Sequence, residues 1–373
     1  MDDGLGAPVR ASGGCEDKVC DDDEREVDSI DSSSSLSSTY VMGLTYSKPN
    51  PRSRVYEDVV RRVLGDDDDG GALAGKTVVV TGSSTGLGFV IAKTCAERGA
   101  TVFMLNRPSV RAVKAVEEVG HGARGVDCDL TSFASTREAA ANVMKQSGGV
   151  VDVLVLNAGV MALPFDATPS DGYDVQMQTN VISHWLLTRE LFPALRASSA
   201  ARVVSQSSLA AKMSSALRKE CFEKVPMCTS WAKSTWDIYG QTKLSNLVFT
   251  EALQTRLNAA KITNVRAVAA HPGIAATNLQ VTTANNPGRG ASSFQLALLG
   301  KSGIFQSEAD GATPALVAAF DADVEGGDFF GPSRMFQCKG APKKVPKDKK
   351  VTPQACDILW SGCEAATGVS FNL

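Results

Sequence analysis

Tyr239-Gly-Gln-Thr-Lys243 sets a phenol and an ammonium four residues apart, which is neighbouring positions on one helix face. A phenol ordinarily ionises near pH 10, too high for efficient proton exchange at neutrality. An adjacent ammonium and a second cation favour the phenolate; lowering the pKa by about three units asks for about 4 kcal/mol. Such a pair suits a general acid/base working on a carbonyl oxygen or an alcohol. The spacing alone is weak evidence, because five tyrosines in a chain of this composition give roughly 0.25 such pairs by chance.

A second cluster points to phosphate binding. Thr81-Gly82-Ser-Ser-Thr-Gly86-Leu-Gly88 follows a β-branched run, Thr77 to Thr81, and opens a helical stretch reaching Arg98. Gly82 permits a tight turn, while Gly86 and Gly88 let the backbone approach a pyrophosphate and let helix and sheet pack closely. Ser84, Thr85, Gly86 and Leu87 then offer backbone N–H groups at the positive end of a helix. The next strand ends Leu105-Asn106-Arg107. An NAD site commonly places a carboxylate here for the ribose hydroxyls, whereas an uncharged Asn106 followed by the Arg107 guanidinium suits a 2′-phosphate. NADP(H) is therefore the expected cofactor, with Asp129-Leu130 at the end of the third strand meeting the adenine.

These groups need a scaffold, and the remaining pattern supplies one. Strand-like runs at Thr77–Thr81, Thr101–Leu105, Arg124–Val126, Val151–Leu156, Arg202–Ser205 and Asn264–Ala269 alternate with helical runs of about 10–20 residues. That alternation predicts an α/β fold, a Rossmann-type doubly wound parallel sheet in a single domain over residues 75–373. The 373-residue chain carries a net charge of −3, but residues 1–74 hold −9 and the remainder +6. With its aspartate and serine runs, the 1–74 segment reads as an acidic, disordered N-terminal extension. One piece, Val55 to Leu64, could form a helix docking on the body.

Several function classes are excluded on composition. No strongly basic face argues for nucleic acid, and no apolar run reaches the length of a membrane-spanning helix. The acidic N-terminus lacks the features of a secretory or organelle signal, so a cytoplasmic location is the expectation. Nine scattered cysteines and three histidines show no metal-ligand spacing, and no metal is expected. The pairs Cys15/Cys20 and Cys356/Cys363 are the only candidates for thiol redox chemistry. Lys339, Lys343, Lys344, Lys347, Lys349 and Lys350 form a basic cluster that reads as a solvated loop, or as a patch for the acidic extension.

Taken together and in order, these motifs resemble the short-chain dehydrogenase/reductase family over about Gly75 to Pro332. Further matches are Asn157-Ala158-Gly159 after the fourth strand, Asn180 at the opening of a long helix, Ser207-Ser208 after the fifth strand, and His271-Pro272-Gly273-x-x-x-Thr277 after the sixth. The resemblance implies that Tyr239 is the general acid/base, that Lys243 lowers its pKa and binds the nicotinamide ribose, and that Ser208 bonds the substrate oxygen. It assigns Asn180 to a proton-relaying water, although Asn180 also reads locally as a helix N-cap. Residue types alone do not separate Ser207 from Ser208. Asn157, Ala158, Gly159, Pro272 and Gly273 would line the cofactor groove, with Thr277 holding the carboxamide or a phosphate.

The strings Tyr239-Gly-Gln-Thr-Lys-Leu-Ser-Asn-Leu and His271-Pro-Gly-Ile-Ala-Ala-Thr-Asn-Leu most resemble the retinol-dehydrogenase-like branch, without the N-terminal apolar anchor usual in its membrane-bound members. Segments of about 209–238 and 278–310 would cover the substrate. Their large apolar residues, among them Met213, Met227, Trp231 and Trp236, favour a bulky apolar carbonyl or alcohol such as a retinal-like, steroid-like or long-chain compound; they equally fit a satellite core or dimer contact. The resemblance is compatible with a homo-oligomer. Two other readings are a protochlorophyllide-reductase-like enzyme, where the catalytic string usually reads Tyr-Lys-Asp-Ser-Lys, and a non-catalytic NADP(H)-binding scaffold.

Overall fold

A computed structural model describes residues 53–66, 71–165, 169–275 and 306–373. The Tyr-x-x-x-Lys helix and the glycine loop meet at one edge of a single eight-stranded sheet. Its strands are β1 (Thr77–Thr81), β2 (Thr101–Asn106), β3 (Arg124–Asp127), β4 (Val153–Leu156), β5 (Ala201–Gln206), β6 (Val265–Ala270), β7 (Phe329–Arg334) and β8 (Lys339–Lys344). The order is β3-β2-β1-β4-β5-β6-β7-β8, parallel throughout except for the antiparallel β7–β8 pair. The chain reverses direction of growth between β1 and β4, which opens a crevice at the carboxyl ends of the strands.

The central strands β1, β2, β4 and β6 are largely apolar runs because both faces are covered. Every residue of β1 is buried. On one face lie α1 (Arg54–Leu64), α2 (Gly86–Glu97), α3 (Val110–Val119) and α7 (Glu308–Phe320), packing Ile91, Ala92 and Leu316 over Val80, Val155, Val204 and Val268. The other face carries α4 (Phe133–Gln146), α5 (residues 175–197), α6 (Thr235–Ala259) and α8 (Pro353–Thr367). Trp185, Trp360 and Phe371 clamp α8 there, with the Trp185 ring edge-on to both partners at 5.7 and 5.5 Å.

Two expectations change, and one element that was allowed for is present. The helix holding Asn180 does not open at that residue: α5 begins at Val175–Met177, passes through a π-helical turn at Gln178–Ile182, and continues as Ser183–Ala197. Asp174 caps it, its carboxylate accepting from the Gln176 and Met177 N–H groups, so Asn180 is no N-cap. The sheet also extends beyond the six strands read from sequence, since β8 is rich in lysine and β7 begins in a glycine-rich segment. Finally, α1 forms where a docking helix was allowed for: Ser53 caps it, and Arg98 donates to the Gly65 and Asp66 carbonyls at its end. Residues 1–52 lie outside the described part.

Candidate active site

Side chains from three strands fix the glycine loop. Asn106 Oδ1 accepts from the Ser83 and Ser84 N–H groups at 2.8 and 2.9 Å, which is why an uncharged amide suits the end of β2. Asn157 Nδ2 donates to the Thr81 and Gly82 carbonyls at 3.0 Å each. Thr81 Oγ1 accepts from the Asn157 and Ala158 N–H groups. Gly82 and Gly86 adopt left-handed backbone (φ +64° each), and a Cβ on Gly88 would collide with Asn157 Nδ2 and the Gly82 carbonyl. Beyond the loop, Thr85 makes no side-chain cap on α2, whereas Ser53, Ser109, Ser132, Asp174, Ser307 and Thr352 cap their helices with a side-chain oxygen. The first turn of α2 thus leaves its N–H groups for an anion.

Beside this turn is a cleft of about 480 Å³ whose wall includes Ser84, Thr85, Gly86, Arg111, Lys114 and Glu308. Arg107 is exposed on the loop after β2. The Asp129 carboxylate accepts from the Thr131 N–H and hydroxyl and shapes the turn into α4, while Leu130 is buried and its carbonyl accepts from Ser183. Pro272 and Gly273 follow β6 at the same edge of the sheet; Gly273 has φ +66°, and a Cβ there would strike the Cys338 carbonyl. Thr277 lies outside the described residues, as does most of the 278–310 segment.

Tyr239 and Lys243 occupy α6 one turn apart, and both are buried. Ser208 is the serine whose hydroxyl favours the ionised Tyr239 phenol, whereas the Ser207 hydroxyl donates to the Lys243 carbonyl at 2.8 Å. Ser208 is therefore the serine at the phenol. Lys243 Nζ donates to the Gln206 carbonyl at 3.0 Å and lies 5.7 Å from the Tyr239 ring centre. Asn246 Nδ2 shares the same carbonyl at 2.8 Å. Gly159 keeps the approach open: a Cβ there would sit 3.3 Å from Asn180 Oδ1 and 3.6 Å from Lys243 Nζ.

In the chain by itself, burial pushes the Tyr239 phenol up to about 12, opposed by the Ser208 hydroxyl. Burial likewise pushes Lys243 down to about 8. Removing both groups from water penalises both charged forms, and this outweighs their mutual attraction in the chain by itself. A shift toward phenolate needs further positive charge at the site.

The Asn180 carboxamide is fully engaged within the chain. Its Oδ1 accepts from the Val160 N–H at 2.8 Å, and its Nδ2 donates to the Val160 carbonyl at 2.9 Å and Thr242 Oγ1 at 3.1 Å. The carboxamide pins the loop after β4 to α6 instead of presenting a free group. Residue spacing does not reveal His184, one turn further on. Its Nδ1 faces the Asn180 carbonyl at 3.2 Å and so carries the proton, leaving Nε2 to accept from the Thr81 hydroxyl at 2.9 Å. Burial holds this imidazole neutral, pushed down to about 3.

The 209–238 segment is partly core and partly exposed. Ala211, Leu217, Cys221, Phe222 and Cys228 are buried in the main core, whereas Met213 and Met227 are 58% and 50% exposed. Trp236 stands edge-on to Tyr239 at 5.8 Å, and the Arg218 guanidinium stacks on Trp231 at 4.6 Å. Cys356 and Cys363 are buried free thiols in α8. Lys344, Lys347 and Lys350 of the basic cluster are tied to Asp328, Glu251 and Asp348. Among the described residues no cluster could hold a metal, and no helix is long and apolar enough to cross a membrane.

Comparison with known proteins agrees with this geometry. A family model described as short chain dehydrogenase matches residues 76–219. Retinol dehydrogenase 14 of Mus musculus is 31% identical over 330 residues, 81% of this chain and 88% of its own length. Retinol dehydrogenase 13 of Homo sapiens is 31% identical over 309 residues, 80% and 86% of the two chains. A crystal structure of an uncharacterized protein from Mycobacterium paratuberculosis has 32% identity and a TM-score of 0.65, covering 82% of this chain and 98% of that one. The chain belongs to the short-chain dehydrogenase/reductase family and is retinol-dehydrogenase-like.

Proposed function

We propose that the protein is an NADP(H)-dependent oxidoreductase acting on the carbonyl or alcohol group of an apolar substrate. The observation that carries this reading is the convergence of Tyr239, Ser208 and Lys243 at the sheet edge that also holds the glycine loop. A nicotinamide held here would supply or accept the hydride. Tyr239 gives a proton to the substrate oxygen or takes it back, with the Ser208 hydroxyl holding that oxygen in place. Lys243, pushed down to about 8, is still largely protonated near neutrality and sits one turn from the phenol. The open first turn of α2 accepts the pyrophosphate.

Preference for the 2′-phosphorylated cofactor is supported by Asn106, whose amide is spent on the loop, by the exposed Arg107, and by Arg111 and Lys114 on the adjoining cleft. An apolar substrate is supported by Trp236 against Tyr239 and by the exposed Met213 and Met227. The test follows NADPH and NADH consumption by the purified protein with retinal, steroid ketones and long-chain aldehydes. Tyr239→Phe should lower kcat by about 10²–10⁴-fold while leaving dinucleotide affinity little changed. Turnover with NADH alone would overturn the NADP assignment, and full activity in Tyr239→Phe would overturn the role of the phenol.

A further inference from the structure

Gln206 ends β5, immediately before Ser207 and Ser208. Its carbonyl is the shared acceptor of Lys243 and Asn246, yet its side chain has a different fate. The residue is only 4% exposed, and neither the oxygen nor the nitrogen of its carboxamide has a hydrogen-bond partner among the described residues. Burying an amide with donor and acceptor both unmet is unfavourable, and few such groups occur in folded proteins.

The strand pattern tells which way this amide faces. Side chains alternate along a strand, and Val204, two residues earlier, packs in the core beneath α2 and α7. Gln206 therefore lies on the α2 side of the sheet. Val80 and Val155 belong to the same core, so Gly82 and Asn157, each two residues on, continue that row at the carboxyl edge. On the other flank Gln206 is in register with Ala270, which leads into Pro272 and Gly273. The unmet carboxamide thus stands between Asn157 and the loop after β6, on the face carrying the phosphate loop, with its own backbone bonded to Lys243.

Resting on the cofactor reading above, we infer that Gln206 binds the nicotinamide end of the dinucleotide by pairing its carboxamide with the carboxamide of the ring. A dinucleotide whose pyrophosphate sits at α2 must pass along this row for its reacting end to reach Tyr239 and Lys243. The one polar substituent on the nicotinamide ring is an amide, offering one donor group and one acceptor, and Gln206 offers the complement of both. Gln206 is thus a binding and positioning residue that sets the orientation of the ring, and its unmet amide in the free chain is satisfied on loading.

The test uses Gln206→Leu and the near-isosteric Gln206→Met, read by binding and by thermal melting without ligand. NADP⁺ is titrated alongside 2′-phospho-ADP-ribose, which keeps the adenine half and pyrophosphate but lacks nicotinamide. Both variants should bind NADP⁺ about tenfold more weakly, bind the truncated compound like the native chain, and melt no lower than native when free. Unchanged NADP⁺ affinity, equal loss for both ligands, or a lowered melting temperature with unchanged affinities would each overturn the inference, the last by assigning Gln206 a purely structural part. Failure of the native chain to bind NADP⁺, NAD⁺ or the truncated compound would instead strike down the cofactor reading, and this inference with it.

Discussion

At the loop between β1 and α2, the Asn106 and Asn157 carboxamides meet the backbone of residues 81–84 at 2.8 to 3.0 Å, and glycines stand where a single methyl would collide. The 209–238 segment, on the far side of Tyr239, is built from short 3₁₀ turns at Leu209–Met213, Lys219–Phe222 and Met227–Thr229, with buried cysteines below and half-exposed methionines above. Under the proposed function the first region would hold a constant ligand, a pyrophosphate, and it leaves no slack. The second would meet the substrate, and it offers unbranched, polarizable side chains that adapt to shape. Chemistry common to a family belongs on the rigid side, and substrate choice can vary on the adaptable side without disturbing it.

Gly88→Ala probes the rigid side hardest. The added methyl would run into Asn157 Nδ2 and the Gly82 carbonyl, neither of which can retreat without losing its own bonds. Overpacking of this kind costs about 3 kcal/mol, read as a lower denaturation midpoint in urea with unchanged slope. A loss under about 0.5 kcal/mol, the size of an ordinary surface change, would mean that the loop has slack after all and would dissolve the contrast.

Lys243 stands where the two regions meet, and its titration gives a second measure. Its folded value is about 8 against an ordinary 10.5, so between those pH values the unfolded chain binds more protons than the folded one. Stability from this group is therefore present above pH 10.5 and lost as pH falls toward 8. Lys243→Met escapes that penalty. Its stability relative to the native chain should be greatest near pH 7 and should decline by about 2 kcal/mol by pH 10. Below pH 10 the Tyr239 phenol stays protonated in both folded and unfolded chains and does not disturb the comparison. A pH-independent difference would show the ammonium to be better solvated than its burial implies.

The sequence made the rigid side legible and the adaptable side much less so, for physical reasons. Glycines forced by positive φ or close approach, and β-branched strands buried on both faces, leave marks in residue type that survive any context. Gly82, Gly86 and Gly88 were readable in that way, whereas Asn157 came only with the family resemblance. The basic strand β8 was not, because it is stabilised by pairing with β7 and by Lys344 bonded to Asp328, which residue type does not record. Asn180 resembled a cap until Asp174 was found in that place. His184 and Gln206 carry no spacing signal, since their roles come from strands and helices brought together across the sheet. Four-residue spacing shows that Tyr239 and Lys243 are neighbours, but it does not show that burial opposes the charged form of each in the chain by itself.

The smallest expected effect tests the adaptable side. Met213 is 58% exposed, next to the Gly240 turn of α6, where a Cβ added to Gly240 would come within 3.4 Å of it. Truncating its exposed thioether in Met213→Ser removes little buried area, so unfolding free energy should change by no more than about 0.5 kcal/mol. Contact with a substrate alkyl chain is another matter. Each methylene kept from water contributes about 0.8 kcal/mol, so losing partial cover of one or two of them should raise KM for a long-chain aldehyde about fivefold, leaving kcat unchanged. A short aldehyde that never reaches Met213 should show no such rise. If instead Met213→Ser lowers stability by about 2 kcal/mol, the methionine is core, and the adaptable surface must be sought at Trp236 and Met227.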